Sequence, residues 1–200
     1  MSKRLILIRH ASVDKAYAGR YLSATEAHLS EKGQREAKAL RDQLADFRPE
    51  VVLCSPLLRT RETAALAFPD LPIQELPELR EVDFGKWDGL NYSEIEREFA
   101  DEVREWNAFA KSFRFPEGES IAEFCKRVEY CAQFIREMRQ DLVVAVTHGG
   151  VTRFMLCYLL GIDYRLHFSF RISPASVAIL DLSSDGASLS GLSNPAVDVS

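Results

Sequence analysis

Three short apolar segments of this sequence each lead to an arginine or a histidine. Short runs rich in Val, Ile and Leu are typical of strands buried on both faces of a sheet. The predicted strands are residues 4–8, 51–54 and 142–146, and the side chains that follow them are Arg9, His10, Arg59 and His148. Such strands require other elements packed on both faces of their sheet. The charged or titratable group near each strand end suggests a functional site.

Helical patterns lie between and after these strands. In LSEKGQREAKALRDQLADF, Ser30 is a candidate N-cap, and apolar residues follow at helical spacing at Ala37, Leu40, Leu44 and Phe47. RTRETAALAF and VTRFMLCYLLG continue as helices after the second and third strands, with Gly161 as a candidate stop. This alternation predicts an α/β fold of three layers, α/β/α, around a largely parallel central sheet.

We expect residues 1–200 to form a single domain. The chain has 46% hydrophobic residues, which is enough for one substantial core, and no linker-like or low-complexity stretch divides it. Residues 86–120 are predicted to form a small helical lid, and residues 175–192 a terminal hairpin that turns at Asp185 and Gly186.

Composition excludes several classes of partner. A net charge of -5 argues against binding of nucleic acid or an anionic membrane surface through bulk electrostatics. The N-terminal apolar run is too short for a signal peptide, and FMLCYLLG is too short to span a bilayer. The four cysteines form no CxxC pair, which favours reduced thiols. We therefore expect a cytoplasmic protein.

The residues at the strand ends suggest an anion site. In open α/β sheets ligands collect at the carboxyl ends of strands, so Arg9, His10, Arg59 and His148 should converge if the three strands are neighbours. The N-terminus of the helix that follows His148 would add backbone N–H groups. Two arginine forks and two imidazoles, without a lysine or a Gly-rich loop, suit a tetrahedral dianion and indicate that an imidazole attacks phosphorus.

Each residue also has a simpler interpretation. An isolated Arg-His pair is more often a solvated strand end, Arg59 alone could be a surface cation, and His148 could be a satisfied histidine in a tight turn. The coincidence of anion-binding groups at three strand ends favours the site.

Four motifs, LIRHA, SPLLRTRETA, LREVDFGKWDG and VTHGG, occur in this order. The set resembles the histidine phosphatase superfamily, also called the phosphoglycerate mutase family, over nearly the whole chain. The resemblance implies a phosphoglycerate mutase-like fold, with His10 as the nucleophile. It also implies that the phosphate pocket consists of Arg9, Arg59, His148 and Gly149.

The resemblance further assigns Glu81 as the proton donor. A general acid would protonate the leaving alkoxide, and its carboxylate would then take a proton from the attacking water. Residue chemistry alone leaves Glu78 and Asp83 as alternatives. Independently of the resemblance, flanking arginines should disfavour protonation of His10 and so keep its ring nucleophilic.

The chain departs from the family pattern near the nucleophile. Ala11 stands where the family usually has glycine, and a commonly found Asn shortly after the nucleophile is absent. Ser23 replaces a frequent glycine and His28 a frequent proline. We expect the site to tolerate Ala11, Ser23 to contact substrate, and His28 to lie at the surface.

The lid sequence bears on the substrate. Its aromatic and basic residues are Lys86, Trp87, Trp106, Phe109, Lys111, Phe113, Arg114 and Phe115. Such rings suit a leaving group with an aromatic ring or a sugar, but they could equally pack the lid onto the core. EVDFGKWDG, FPEGES and the segment after THGG look most like the α-ribazole phosphatase branch, which acts in cobalamin biosynthesis.

The expected activity is hydrolysis of a small phosphomonoester, α-ribazole 5′-phosphate being the candidate, through a phosphohistidine. We expect no cofactor and no metal, and a homodimer is a possible assembly. The alternatives are phosphoglycerate mutase-type phosphoryl transfer, a noncatalytic binding domain, and a metallohydrolase, for which no H-x-H, H-E-x-x-H or carboxylate-rich cluster is present.

Overall fold

A central sheet organises the computed structural model, which describes residues 3–108 and 110–195. Six strands within these residues lie in the order β3-β2-β4-β1-β5-β6. Their bounds are β1 Lys3–Arg9, β2 Val51–Cys54, β3 Ile73–Glu75, β4 Leu142–Thr147, β5 Val177–Ser183 and β6 Gly186–Ser193. The three predicted strands are β2, β4 and β1, and they are direct neighbours.

The sheet is parallel on one side and antiparallel on the other. β1 pairs with β4, and β2 pairs with both β4 and β3, in parallel. β5 and β6 form the predicted terminal hairpin and add to β1 as antiparallel strands. The prediction of an α/β fold with a largely parallel sheet is thus confirmed. The alternation of strands and helices in the sequence did not show that two antiparallel strands make the sheet mixed.

Helices cover both faces of the sheet. Their bounds are α1 Glu31–Gln43, α2 Leu58–Ala67, α3 Tyr92–Glu98, α4 Ala100–Asn107, α5 Ile121–Glu137 and α6 Gly149–Leu160. Alternate residues of β1 enter two separate cores: Ile6 and Ile8 pack with α1 and α2, whereas Leu5 and Leu7 pack with α5 and α6. Because successive strand residues point to opposite faces, this alternation produces the three layers.

Capping residues fix where the helices start and stop. Ser30 caps α1 by accepting a hydrogen bond from the Gly33 N–H, as predicted. Gly161 ends α6 in the left-handed conformation at φ 67°, which glycine adopts at little cost. α5 begins with a capping box, in which Ser120 and Glu123 satisfy each other's backbone N–H groups.

The segment 86–120 is only partly helical. It contains α3 and α4 and then an irregular stretch that returns to α5. Trp87, Phe113 and Phe115 are buried in the core cluster beneath it, so these rings pack the segment onto the body of the protein. Phe109 lies outside the described residues. None of the described helices has the length and hydropathy needed to cross a membrane.

Candidate active site

The carboxyl ends of β1 and β4 bring two histidines together. Arg9 and Thr147 are partners in the sheet register, and the His10 N–H donates to the Thr147 carbonyl over 2.8 Å. His148 follows Thr147, and the ring centroids of His10 and His148 are 5.3 Å apart. Arg59 reaches the same place from α2, which follows the neighbouring strand β2.

The surroundings of His10 leave one ring nitrogen ready to react. Its Nδ1 lies 2.9 Å from the Ala11 carbonyl. A carbonyl can only accept, so Nδ1 carries the proton and Nε2 keeps its lone pair. Burial, and then the charges of Arg9 and Arg59, hold the pKa of His10 well below its usual range. The side chain is 7% exposed, on the wall of a cavity.

His148 is fully buried beside His10. Its Nε2 lies 2.8 Å from Ser55 Oγ. Burial lowers the pKa of His148 as well, followed by the charges of Arg59 and of His10 when protonated. The imidazole is therefore neutral at physiological pH.

Three buried nitrogen atoms around the two histidines lack a hydrogen-bond partner among the described residues. They are Arg9 Nε, Arg59 Nε and His148 Nδ1. Buried polar groups are almost always satisfied, so three unpaired donor positions in neighbouring side chains indicate a ligand with several acceptor atoms. A phosphoryl group has such atoms.

Arg9 is held from behind. Its Nη1 donates to the Ile172 carbonyl over 2.7 Å, whereas its Nε is buried close to Gly149 and has no partner among the described residues. Burial, and next the charge of Arg153, lower the pKa of Arg9 to about 10. Arg9 thus remains charged at neutral pH.

Arg59 has two structural partners in addition to its open nitrogen. Its Nη1 donates to the Thr25 carbonyl, and its Nη2 donates to the carbonyls of Leu22 and Ser23, over 3.0 to 3.2 Å. Its Nε is buried and has no partner among the described residues. Arg59 therefore fixes the loop of residues 22–25 from a fully buried position beside the two histidines.

Ser23 does not face the cavity. Asp88 accepts the Ser23 N–H at 2.6 Å and the Thr25 N–H at 2.8 Å, and this holds the loop turned inward. The Ser23 hydroxyl, 3.3 Å from the Phe84 N–H, accepts from it, and the residue is buried. Leu22 lines the cavity in its place. The Ser23 hydroxyl, which was predicted to contact substrate, is therefore buried and engaged with the Phe84 N–H.

Two other departures from the family pattern have clear positions. Ala11 is buried in the core cluster on the α1 and α2 side, so its methyl group is accommodated by packing. His28 is 76% exposed and pairs with Glu62, which agrees with the expected surface position.

Glu81 differs from the two neighbouring acids. Its carboxylate accepts from the Gly150 N–H at 3.0 Å and from the Val82 N–H at 3.1 Å, and it lines the same cavity as His10. Asp83 is exposed and accepts from the Gly85 N–H. Of the three acids Glu78, Glu81 and Asp83, only Glu81 lines the cavity.

The two glycines after His148 permit close approach. A Cβ on Gly150 would lie 2.4 Å from Glu81 Oε1. A Cβ on Gly149 would lie 3.1 Å from Arg153 Nη1 and 3.3 Å from Arg9 Nε. Glycine at both positions lets the first turn of α6 lie directly against a carboxylate and two guanidinium groups.

Sequence reasoning missed Arg153. It lies on α6, lines the cavity, and donates from Nε to the Phe170 carbonyl over 3.1 Å. Residues four apart on a helix share a face, so its spacing from Gly149 was a usable signal.

Arg127 was also missed. From α5 it donates to the carbonyls of Glu78 and Arg80 over 2.7 Å, and it pairs with Glu119 at 2.7 Å. It thereby fixes the segment that carries Glu81. No local pattern predicts the contacts with carbonyl groups, because these partners are 46 or more residues away in sequence.

The cavity extends well beyond the histidines. Its volume is about 650 Å³. The rings in its lining, called the aromatic end below, are those of Tyr17, Tyr21, Phe84, Tyr92, Trp106, Phe115, Phe124, Phe154, His167 and Phe168. Aromatic residues of this chain therefore serve both purposes considered from the sequence, since some pack the core and others line the cavity. No cluster of three or more metal-ligating side chains occurs in residues 3–108 and 110–195.

Comparison with known proteins gives consistent matches over almost the whole chain. A family model described as the histidine phosphatase superfamily (branch 1) matches residues 5–195. Phosphoserine phosphatase 1 of Hydrogenobacter thermophilus is 32% identical over 90% of this chain and 86% of its own length. The adenosylcobalamin/α-ribazole phosphatase of Escherichia coli K12 is 29% identical over 98% of both chains.

Solved structures agree with the sequence matches. The crystal structure of the α-ribazole phosphatase from Shigella flexneri superposes with a TM-score of 0.87. It is 28% identical, and the match covers 98% of this chain and 99% of that one.

Proposed function

The chain belongs to the histidine phosphatase superfamily (branch 1) and is a phosphoric monoester hydrolase, and from this we propose that it hydrolyses α-ribazole 5′-phosphate through a phosphohistidine. The observation that carries the proposal is the cavity of about 650 Å³, whose lining combines His10, Arg9 and Arg153 with many aromatic rings. This volume is in the range that holds a drug-sized ligand, and it is larger than a ligand as small as phosphoserine requires.

The phosphoryl group binds over the N-terminus of α6. Arg9 Nε, Arg59 Nε and His148 supply hydrogen bonds to its oxygens, and helix N–H groups add to them. Arg153 brings a third guanidinium to the same wall. Three arginines facing one carboxylate, that of Glu81, leave an excess of about two positive charges, which suits a dianion.

His10 Nε2 attacks the phosphorus atom in line with the leaving oxygen. The P–O bond breaks, its electron pair goes to the leaving oxygen, and the Glu81 carboxyl group gives that oxygen a proton. Water then attacks the phosphohistidine, the P–N bond breaks, and the Glu81 carboxylate takes the proton of the water. The fixed N–H donors stabilise the charge of both transition states.

The aromatic end accommodates the leaving group. A benzimidazole ring can stack on or meet the edges of aromatic side chains, and the ribose would span the distance from them to the phosphate. The α-ribazole phosphatases of Escherichia coli and Shigella flexneri support this choice, since they match the whole chain.

A substrate screen tests the proposal. Purified full-length protein is assayed for release of inorganic phosphate from α-ribazole 5′-phosphate, phosphoserine, 3-phosphoglycerate and sugar phosphates, ranked by kcat/KM. We expect α-ribazole 5′-phosphate to lead by about tenfold or more. Phosphoserine in first place would instead favour the activity named for the Hydrogenobacter relative.

Two controls separate the other classes of function. A phosphoglycerate mutase would return the phosphate to its substrate, so we measure isomerisation of 3-phosphoglycerate with and without a bisphosphoglycerate. A metallohydrolase would lose activity in chelator, and we expect activity to persist. A noncatalytic domain would bind phosphomonoesters without turnover.

A further inference from the structure

Ser55 is a buried hydroxyl that the mechanism above does not use. It follows β2 directly and is fully buried. Its N–H donates to the Val146 carbonyl over 3.0 Å, and its carbonyl accepts from Thr60 Oγ1 over 2.8 Å. The residue is thus fixed on both sides, and its Oγ lies 2.8 Å from His148 Nε2.

The direction of this hydrogen bond determines the tautomer of His148. If Nε2–H donated to Oγ, the Ser55 hydroxyl hydrogen would need another acceptor, and within the described residues Oγ otherwise contacts only the Leu57 N–H, a donor, at 3.4 Å. His148 Nδ1 would then be a lone pair that faces no donor, and it would repel a phosphoryl oxygen.

The opposite direction satisfies both the Ser55 hydroxyl and His148 Nε2. The Ser55 hydroxyl donates to Nε2 and accepts from the Leu57 N–H. A neutral imidazole that accepts at Nε2 carries its proton on Nδ1. That nitrogen is the one that is buried and without a partner among the described residues, and its N–H becomes a donor for a bound anion.

We propose that Ser55 is a positioning residue that holds neutral His148 in the Nδ1–H tautomer, so that His148 donates a hydrogen bond to the phosphoryl group. The proposal rests on the proposed function for the identity of the anion. Both histidines then carry the proton on Nδ1, but they turn opposite atoms to the substrate. His10, held by the acceptor Ala11 carbonyl, presents a lone pair, and His148, held by the donor Ser55, presents a hydrogen.

Ring ¹⁵N NMR of the full-length protein tests the tautomer directly. Long-range correlation spectra distinguish a protonated from an unprotonated ring nitrogen, and His148→Asn identifies the signals. At pH 7 we expect His148 to be neutral with its proton on Nδ1, both free and with saturating inorganic phosphate. A proton on Nε2, or on both nitrogens, in the native protein would overturn the proposal, whether or not any variant folds.

Variants then measure the consequence. In Ser55→Ala the Nε2 atom loses its donor, so we expect both tautomers in the spectrum, about tenfold lower kcat/KM, and weaker inhibition by inorganic phosphate. Ser120→Ala is the control, because it removes a buried serine hydroxyl that caps α5 and contacts Glu123 rather than the histidines. It should retain the native tautomer and kcat/KM within about twofold.

The outcomes separate this inference from the proposed function. Ser55→Ala with the native tautomer and native kcat/KM would refute the role of Ser55 even in an active phosphatase. A native protein without phosphatase activity but with the predicted tautomer would refute the function and leave the tautomer assignment intact.

Discussion

The two ends of the cavity are built in different ways. At the phosphate end, His10, Arg9 and His148 extend from adjacent strands, and each is fixed by a hydrogen bond to a backbone carbonyl or a buried hydroxyl. At the aromatic end, most lining residues come from three separate segments, residues 17–22, 84–115 and 167–174, and α5 and α6 add Phe124 and Phe154. Rings of the first two segments contact each other edge to face. The sheet register determines the first end, and side-chain packing determines the second.

This difference separates two properties of the enzyme. Groups fixed by the sheet can be placed to within fractions of an ångström, as chemistry at phosphorus requires. Rings that meet edge to face, such as Tyr21 and Trp106 at 6.0 Å, are positioned by packing against each other rather than by hydrogen bonds. Substitutions at the phosphate end should therefore affect the rate for every substrate, whereas those at the aromatic end should affect the choice between substrates.

The largest effect is expected for His10→Ala. Loss of the attacking nitrogen should lower kcat by about 10⁴-fold or more for all substrates, while the fold remains intact because His10 lies at a strand end. His28→Ala is the matched control, since that histidine is exposed, and it should keep native kcat.

Rapid quench with labelled substrate should also trap an acid-labile, base-stable phosphoenzyme in the native protein and none in His10→Ala. An acid-stable adduct, or substantial turnover by His10→Ala, would contradict the mechanism.

A smaller and selective loss is expected for Glu81→Gln. An alkyl phosphate has a strongly basic leaving group, so its turnover should fall by about 10²-fold. A nitrophenyl ester leaves without a proton, so its phenolate burst should be comparatively spared while hydrolysis of the phosphoenzyme slows. Asp83→Asn is the control. Equal loss of the burst for both ester types would mean that Glu81 positions the phosphate rather than donating a proton.

Arg153→Gln should reduce kcat/KM by about tenfold, because a hydrogen bond to a charged group is lost. The loss should be similar for small and bulky substrates, since Arg153 Nη1 lies at the phosphate end, and the inhibition constant of inorganic phosphate should rise in parallel. Arg165→Gln provides an exposed arginine as the control. A loss confined to bulky substrates would mean that Arg153 contacts the leaving group rather than the phosphate.

Tyr92→Leu should show the opposite selectivity. Tyr92 lines the aromatic end and is 41% exposed, so its replacement should leave the fold intact. We expect KM for α-ribazole 5′-phosphate to rise about threefold, the scale of one lost aromatic contact, and KM for a small alkyl phosphate to stay unchanged. Tyr130→Leu, an exposed tyrosine on α5, is the control. Equal KM changes for both substrates would remove the distinction between the two ends.

The last expected effect is on stability in acid rather than on turnover. Burial lowers the pKa of His167, at the aromatic end, to about 4. The unfolded chain has a histidine pKa near 6.5, so below this value it binds a proton that the folded state does not. The stability that depends on neutral His167 is present above pH 6.5 and is lost as the pH falls toward 4, by about 1 kcal/mol per pH unit.

Thermal unfolding between pH 7 and 5 measures this loss. His10 and His148, which also have lowered pKa values, should contribute in the same direction. In His167→Gln the slope of unfolding free energy against pH should correspond to about one proton fewer than in the native protein. The melting temperature of this variant should therefore fall less on acidification than that of the native protein. An unchanged slope would show that His167 does not titrate on unfolding.

Local patterns predicted much of the phosphate end. Apolar runs identified three adjacent strands, and Arg9 and His148 lie at the ends of two of them as expected. The sequence did not predict β3. This strand has only three residues, of which only Ile73 is partly buried, so it shows no recognisable hydrophobic pattern. Nor could it give the orientation of Ser23, which depends on Asp88 at a distance of 65 residues in sequence.

The aromatic end was predictable only as a composition. The sequence showed many rings between residues 86 and 120, but it could not separate Trp87, which is fully buried, from Tyr92, which lines the cavity. Whether a ring is buried in the core or lines the cavity depends on how irregular segments pack against distant helices. Arg127 was missed for the same reason, since it holds backbone carbonyls of a distant segment, whereas Arg153 could have been found from its helical spacing to Gly149.

Arg59 links the floor of the cavity to its rim, and this has a consequence for how such a chain can diverge. One guanidinium both lies beside His10 and His148 and ties together three carbonyls of residues 22–25. Lysine would keep the charge but not the fork, so even this conservative exchange would release the rim. New specificities are therefore accessible through stepwise exchange of single rings at the far end, whereas no single step at Arg59 alters one task without the other.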